Sequence, residues 1–133
     1  MSGDESSVSS EEIRYLAHER ARPGQLEMIH DCLAALQAGG HHLAAAPTGI
    51  GKTAAALAAA IDAARTANGP RTIFFLTSRQ SQHKIVVDTV RRINGRRPTQ
   101  EKVRLVDMVG QSNMCVQPFA KETPALFSLL CNQ

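Results

Sequence analysis

The stretch Ala44–Thr53, AAAPTGIGKT, decides how the rest of the chain is interpreted. Gly49 and Gly51 let the backbone curl so that successive N–H groups face one anion. Lys52 adds a cation, and Thr53 adds a hydroxyl. Residues 52–67 are rich in alanine, which predicts a helix whose N-terminal donors point at the same anion. The stretch therefore predicts a phosphate-binding loop between a strand and a helix.

The loop matches the P-loop pattern with one departure. Residues 46–53 have its eight-residue spacing, but Ala46 stands where the first glycine is expected. In this pattern the lysine reaches the β- and γ-phosphates of a nucleotide, and the threonine hydroxyl ligates Mg²⁺. We therefore predict Lys52 and Thr53 as catalytic residues. The predicted cofactor-binding residues of the loop are Pro47, Thr48, Gly49, Ile50, Gly51, Lys52 and Thr53.

The segments around the loop predict an α/β fold with a parallel sheet and flanking helices. Three short apolar segments, 42–46, 72–76 and 103–107, are typical of buried strands. Helical patterns at 52–67 and 80–94 separate them, and strands connected in this way run parallel. In the second helix the residues predicted to face inward are Ile85, Val86, Val90 and Ile93.

Further helices are predicted before and after this core. Ser9 and Glu12 fit a capping box that begins a helix continuing through Ala17. A helix that begins at Pro23 ends at a glycine pair. The last predicted helix covers residues 125–130.

Composition indicates one globular domain at most. The chain has 133 residues, of which 43% are hydrophobic and 20% charged, with a net charge of +3. Its three cysteines and the lack of an apolar leader predict reduced thiols in the cytoplasm. Cys32 is expected to be a buried thiol, because cysteine is often buried. The apolar run 43–64 is interrupted by charges, so no membrane span is predicted.

A polar motif precedes the loop at Arg22-Pro23-Gly24-Gln25. The amide of a glutamine can both donate to and accept from the edge of adenine, which a phosphate loop cannot do. Arginine and glutamine at this distance resemble the adenine-reading Q motif of superfamily 2 helicases. Arg22 and Gln25 are therefore predicted to recognise the base, although a polar first helical turn would look the same.

Two further segments extend the resemblance. Thr77-Ser78-Arg79 follows the second predicted strand and looks like motif Ia, whose hydroxyls, amides and basic side chain hold a nucleic-acid backbone. The segment GQSNMCVQP places Cys115 after the third predicted strand. Together these segments resemble the XPD/DinG-like iron–sulfur DNA helicases, archaeal XPD-type proteins in particular, over residues 14–118.

The resemblance implies a partial RecA-like P-loop domain that uses ATP and Mg²⁺ and acts on single-stranded DNA, with no membrane partner, as a monomer. It implies that Thr77, Ser78 and Arg79 contact DNA, and that Cys115 is the first ligand of a 4Fe-4S cluster, with Cys131 as the second. By themselves, two such cysteines favour ordinary thiols over a zinc or cluster site. This chain also cannot supply the four thiolates that a cluster needs.

The carboxylate pair that would hold Mg²⁺ and orient the attacking water is missing. No Asp-Glu pair follows an apolar segment, and Asp107 is followed by Met108. We therefore expect the N-terminal piece of a helicase domain 1, unable to hydrolyse ATP alone. Two alternatives stay open: a small P-loop kinase or nucleotide-binding regulator that uses Asp107, and an inactive DNA-binding module. The predicted divisions are a disordered segment 1–8, the helicase piece 9–112 and the start of a cluster region 113–133.

Overall fold

The structure, a computed structural model, describes residues 13–131. Within that range it contains α-helices and two short 3₁₀ turns, at Thr99–Glu101 and Pro118–Lys121. None of the described helices is long and apolar enough to cross a membrane. The predicted disordered segment 1–8 and the capping box at Ser9 and Glu12 lie outside the described residues. The helices are α1 Gln25–Gln37, α2 Lys52–Thr66, α3 Gln80–Gly95, α4 Gln111–Met114 and α5 Pro124–Cys131.

Helix α2 is the centre of the core. Its surface is rich in alanine, and neighbouring elements pack closely on two sides of it, because small side chains allow helix axes to approach one another. One cluster joins Ala55, Ala58 and Ala59 of α2 to Ile29 of α1 and to Leu16. The other cluster joins α2 to α3 and also includes Tyr15 and Ala17; its members from the two helices are Ala54, Leu57, Ile61, Val86, Val90 and Ile93.

The helix predictions are mostly confirmed. The predicted helices 52–67 and 80–94 correspond to α2 and α3, and the helix expected from Pro23 begins at Gln25 as α1. The prediction that Ile85 faces inward is wrong, since it is 53% exposed while Val86 is 8% exposed. The buried residues of α3 recur three and four positions apart, and Ile85 lies beside that stripe.

The helix predicted to continue through Ala17 is also corrected. Residues 13–20 form turns and bends instead of a helix. Tyr15, Leu16 and Ala17 are nevertheless all buried, at 1%, 4% and 5% exposure. Their successive side chains enter both core clusters, Leu16 the one with α1 and α2, and Tyr15 and Ala17 the one with α2 and α3.

The predicted parallel sheet is wrong. Residues 13–131 contain no β-strand, and the predicted strands 42–46, 72–76 and 103–107 have no regular secondary structure. No backbone hydrogen bond pairs any of these three described segments with another. A strand exists only where a neighbouring strand accepts its backbone bonds, and β-branched composition does not specify that neighbour. The partial RecA-like α/β fold expected from the sequence is therefore not observed in the described residues.

The third of these segments is held by side chains from the helices instead. The Asn94 side chain of α3 accepts a bond from the Val103 N–H at 2.8 Å and donates to the Val103 carbonyl at 2.9 Å. Arg65 of α2 donates to the carbonyls of Glu101 and Lys102 at 3.0 and 2.9 Å. These hydrogen bonds hold residues 101–103 against α2 and α3. Further along the same segment, Asp107 contacts His83 of α3.

Candidate nucleotide-binding site

The loop before α2 has the backbone shape of an anion cradle. Gly49 and Gly51 have φ angles of 92° and 88°, in the left-handed region that glycine tolerates without strain. Gly51 is the N-cap of α2, so the loop runs directly into the positive end of a 15-residue helix. Within the described residues, no backbone N–H from Thr48 to Thr53 donates to a protein acceptor. These donors are available to a phosphate group, so the loop fits the triphosphate of a nucleotide.

Lys52 and Thr53 occupy the first turn of α2. The exposed Lys52 ammonium donates to the carbonyls of Ala46 and Pro47 at 2.8 and 2.9 Å, which folds the side chain over the loop. A bound phosphate would exchange these two neutral acceptors for charged oxygens, which form the stronger bonds. Thr53 is half-buried beside Lys52, and its hydroxyl is the group that would hold Mg²⁺, which neutralises phosphate charge when bound.

Gln25 fastens the loop to the start of α1. Its Nε2 donates to the Gly51 carbonyl at 3.1 Å, and its Oε1 accepts from the Arg22 N–H at 3.1 Å. The side chain is 1% exposed. The Arg22 guanidinium donates to the Gly49 carbonyl. The two residues predicted to read adenine thus meet the phosphate loop, and both ends of the Gln25 amide are bonded to backbone. Base recognition by this pair stays a prediction.

Gly24 is a loop contact that the sequence reasoning missed. It has a φ angle of 75°, and a Cβ added there would lie 3.0 Å from Cδ1 of Ile50. A glycine in the first turn of the helix predicted from Pro23, beside Gln25, was the available signal. Through Gly24 and Gln25, the N-terminus of α1 therefore contacts residues 49–51 of the loop.

The predicted nucleic-acid contacts lie at the start of α3. Arg79 is the N-cap of α3 and is exposed, and the Thr77 hydroxyl donates to the Arg79 carbonyl at 3.3 Å. Ser78 lies between them and is exposed. The side chains therefore form one accessible polar turn. Contact with DNA stays a prediction.

The cysteines do not form a metal site in the described residues. Cys115 follows α4, and Cys131 ends α5, where its Sγ accepts from Nε2 of Gln111 at 3.4 Å. No group of three or more His, Cys, Asp or Glu side chains in residues 13–131 could hold a metal. Cys32, which was expected to be buried, is only half-buried against the α1–α2 cluster, and this burial raises the pKa of the thiol. The described residues therefore do not fit a 4Fe-4S cluster by themselves.

The phosphate loop at the N-terminus of α2 has the geometry of a nucleotide-binding site. The family model for DEAD/DEAH box helicases matches residues 22–120, which is most of the chain. The chain therefore belongs to the DEAD/DEAH box helicases, a superfamily 2 family. Comparison with curated proteins and with solved structures gave no match. The family assigns the protein an ATP-dependent helicase domain that acts on nucleic acid and uses ATP and Mg²⁺.

Proposed function

We propose that the chain is the N-terminal part of helicase domain 1 of an XPD/DinG-type DNA helicase. ATP binding at residues 46–53 would be coupled to movement along single-stranded DNA that is held at Thr77–Arg79. The observation that carries this proposal is the arrangement of the phosphate loop, with its free N–H groups at the N-terminus of α2 and its attachment to Gln25. The order of motifs in the sequence supports the XPD/DinG type.

The proposed chain binds Mg·ATP but does not turn it over at a useful rate. Lys52 and Thr53 supply the phosphate and magnesium contacts, whereas no Asp-Glu pair follows an apolar segment to orient water. Asp107, the carboxylate that a small kinase would need, accepts from Nδ1 of His83 at 2.7 Å. It lines a cleft to which no residue of the phosphate loop contributes. This placement gives the kinase alternative no support.

The iron–sulfur assignment rests on the resemblance alone. Cys115 and Cys131 are proposed as two ligands of a four-iron cluster, to which other thiolates would have to contribute. No step of the proposed activity passes through the cluster. Anaerobic purification of a chain extended past residue 133 tests this part, and a preparation without broad visible absorbance while Cys115 is intact would contradict it.

Binding measurements on the 133-residue chain test the proposed function. Titration calorimetry should detect Mg·ATP binding that Lys52→Ala weakens roughly 10- to 150-fold, since bonds to a charged group contribute about 1.5–3 kcal/mol. Lys121→Ala, a change at an exposed lysine, is the matched control and should leave binding unchanged.

Fluorescence anisotropy with a labelled dT15 oligonucleotide tests the DNA contact. Arg79→Ala should weaken dT15 binding more than Arg71→Ala, a control at another exposed arginine.

Two results would contradict parts of this proposal. Robust multiple-turnover ATP hydrolysis that Lys52→Ala abolishes would show that the chain is a complete enzyme. Binding of dT15 that is equal in the wild type, Arg79→Ala and Arg71→Ala would remove the assignment of Thr77–Arg79 to DNA.

A further inference from the structure

An open cleft of about 430 Å³ lies between α3 and the segment 107–113. Its α3 side begins at Gln80, the residue that follows the predicted DNA-contacting turn at Thr77–Arg79. The lining residues of α3 recur at intervals of three and four, so they form one face of the helix. The volume is within the range of sites that take small molecules, and it suits a single nucleotide unit.

The cleft walls combine apolar and amide groups. Val87 of α3 and Val109 of the opposite segment both line it and are half-buried. Gln80 and Asn113 also line the cleft and are exposed, and each carries an amide that can donate and accept hydrogen bonds. Sites that hold a base outside the stack pack it between aromatic or apolar side chains and hydrogen-bond its edge, and the cleft offers valines for the packing and amides for the edge.

The cleft is lined by two carboxylates, Asp88 and Asp107, and by the cations Arg91 and Lys84, of which Lys84 has no ion-pair partner among the described residues. Asp107 is bonded to His83 at 2.7 Å, and Asp88 lies 3.5 Å from Nη1 of Arg91. Lys84 is exposed, lines the cleft and forms no ion pair with any described residue. The group that remains for a ligand is a flexible ammonium, which suits one phosphate as a point charge.

We propose that this cleft, which we call the α3 cleft, binds one unstacked nucleotide of single-stranded DNA. The base packs between Val87 and Val109 with its edge at Asn113, and its phosphate is held by Lys84. The proposal rests on the proposed function, because the strand reaches Gln80 from the turn at Thr77–Arg79. It adds a base-contacting site to a turn that holds only the backbone.

Anisotropy on the full chain tests the α3 cleft with two labelled 15-mers, dT15 and an oligomer of the same length whose sugars carry no bases. The wild type should prefer dT15, since a base packed against apolar side chains and hydrogen-bonded at its edge adds to the backbone contacts. Asn113→Ala should remove most of that preference. Lys84→Met should weaken binding of both oligomers roughly 5-fold or more and lower the salt dependence by about one phosphate contact.

Arg92→Met is the matched control, because Arg92 is exposed on α3, carries the same charge as Lys84 and does not line the cleft. Circular dichroism melts should confirm that all variants fold, as the substituted side chains are exposed. A direct readout is a titration with dTMP, in which the side-chain amide NMR signals of Asn113 and Gln80 should shift while those of Gln37 and Gln100 do not.

The proposal that the α3 cleft binds a nucleotide is overturned if Lys84→Met and Asn113→Ala bind both oligomers as Arg92→Met does. It is also overturned if dTMP leaves the NMR signal of the Asn113 amide unshifted. If dT15 binding still depends on Arg79 in that case, the proposed function stands and only the cleft fails. If the wild type does not bind dT15, both fail together. A dependence on Asn113 that is seen only with rU15 would overturn the assignment to DNA.

Discussion

Gln25 shows how one buried side chain can set the shape of a phosphate loop two dozen residues away. Its amide joins the Arg22 N–H to the Gly51 carbonyl, and Gly51 has both a positive φ and no room for a side chain. A Cβ on Gly51 would lie 2.6 Å from Nε2 of Gln25. The glycine at this position is therefore required by the backbone angle and by the contact with Gln25.

Gly51→Ala should destabilise the chain more than Gly69→Ala. Both glycines have φ near 90°, at 88° and 91°, so both substitutions carry the left-handed penalty of about 1–2 kcal/mol. Only at position 51 would the added Cβ also collide with the Gln25 side chain, because nothing lies within 4 Å of a Cβ on Gly69. Urea unfolding measures both. Adding Gln25→Ala to Gly51→Ala should give a smaller loss than the sum of the two single changes, and strict additivity would show that the contact does not matter.

At the scale of elements, α3 has a buried stripe and an exposed stripe that the sequence pattern does not separate. Val90 and Ile93 are 3% and 1% exposed against α2, whereas Ile85 is 53% exposed. The exposed stripe of the same helix carries the α3 cleft. One helix therefore serves the core and a candidate binding surface with different faces.

Ile93→Ala should cost about 2–5 kcal/mol of unfolding free energy, the usual range for truncating a fully buried isoleucine. Ile85→Ala should cost less than about 1 kcal/mol, because most of its side chain is already in contact with water. Chemical denaturation followed by circular dichroism at 222 nm compares the pair. Equal losses would mean that Ile85 packs inward, as its sequence pattern predicts.

The connection after α3 depends on a charged cluster. Arg14 donates to Glu101 at 2.5 Å, and Arg97 lies 3.7 Å from the other carboxylate oxygen. Both guanidinium groups stack near the buried Tyr15 ring, at 5.8 and 5.5 Å from its centroid. The hydrogen bond from Arg14 holds the pKa of Glu101 below its usual value, against a smaller opposing effect of burial.

This lowered pKa predicts a pH dependence of stability. A carboxyl with a folded pKa below its unfolded value stabilises the fold above the unfolded value, and this contribution is lost as the pH falls through the folded value. Thermal melts of the wild type should therefore decline as the pH falls below the usual glutamate pKa and through the lower value that Glu101 has in the folded chain. Glu101→Gln should melt lower at pH 7 and show a flatter acid decline. Parallel curves for the two proteins would contradict a role for this carboxylate.

At the scale of the whole molecule, the helical core leaves apolar segments uncovered. Phe74 and Leu76 are 81% and 87% exposed, while Ile73 and Phe75 between them are 37% and 38% exposed. This alternation is the pattern of an extended segment with one face partly covered. Val106, at 80% exposure, adds to the same kind of surface. Large exposed apolar groups on one chain are typical of surfaces that bind partners or associate.

The chain should therefore bind the dye ANS, and Phe74→Ser with Leu76→Ser should reduce the ANS fluorescence without changing the helical circular dichroism signal. These side chains are exposed, so their removal costs the core little. Ala45→Ser, on another exposed segment, is the control and should leave the signal unchanged. Equal dye binding by the double variant and the wild type would place the apolar surface elsewhere.

The local features of this protein can be predicted from its sequence. The glycine spacing of AAAPTGIGKT, the alanine-rich helix after it and the 3.6-residue pattern of α3 are short-range features, since neighbours along the chain fix helices and turns. The match of residues 22–120 to the DEAD/DEAH box helicase family is likewise a property of the sequence.

Only the tertiary structure decided which distant groups meet. It showed Gln25 bonded to Gly51, Asn94 holding Val103, and the α3 cleft beside Thr77–Arg79. It also showed that the apolar segments 42–46, 72–76 and 103–107 are not paired within the described residues, against the sheet that their composition predicted. The physical reason is the same in each case. Strand pairing, clefts and buried hydrogen bonds depend on partners far away in the chain, and local propensity does not specify those partners.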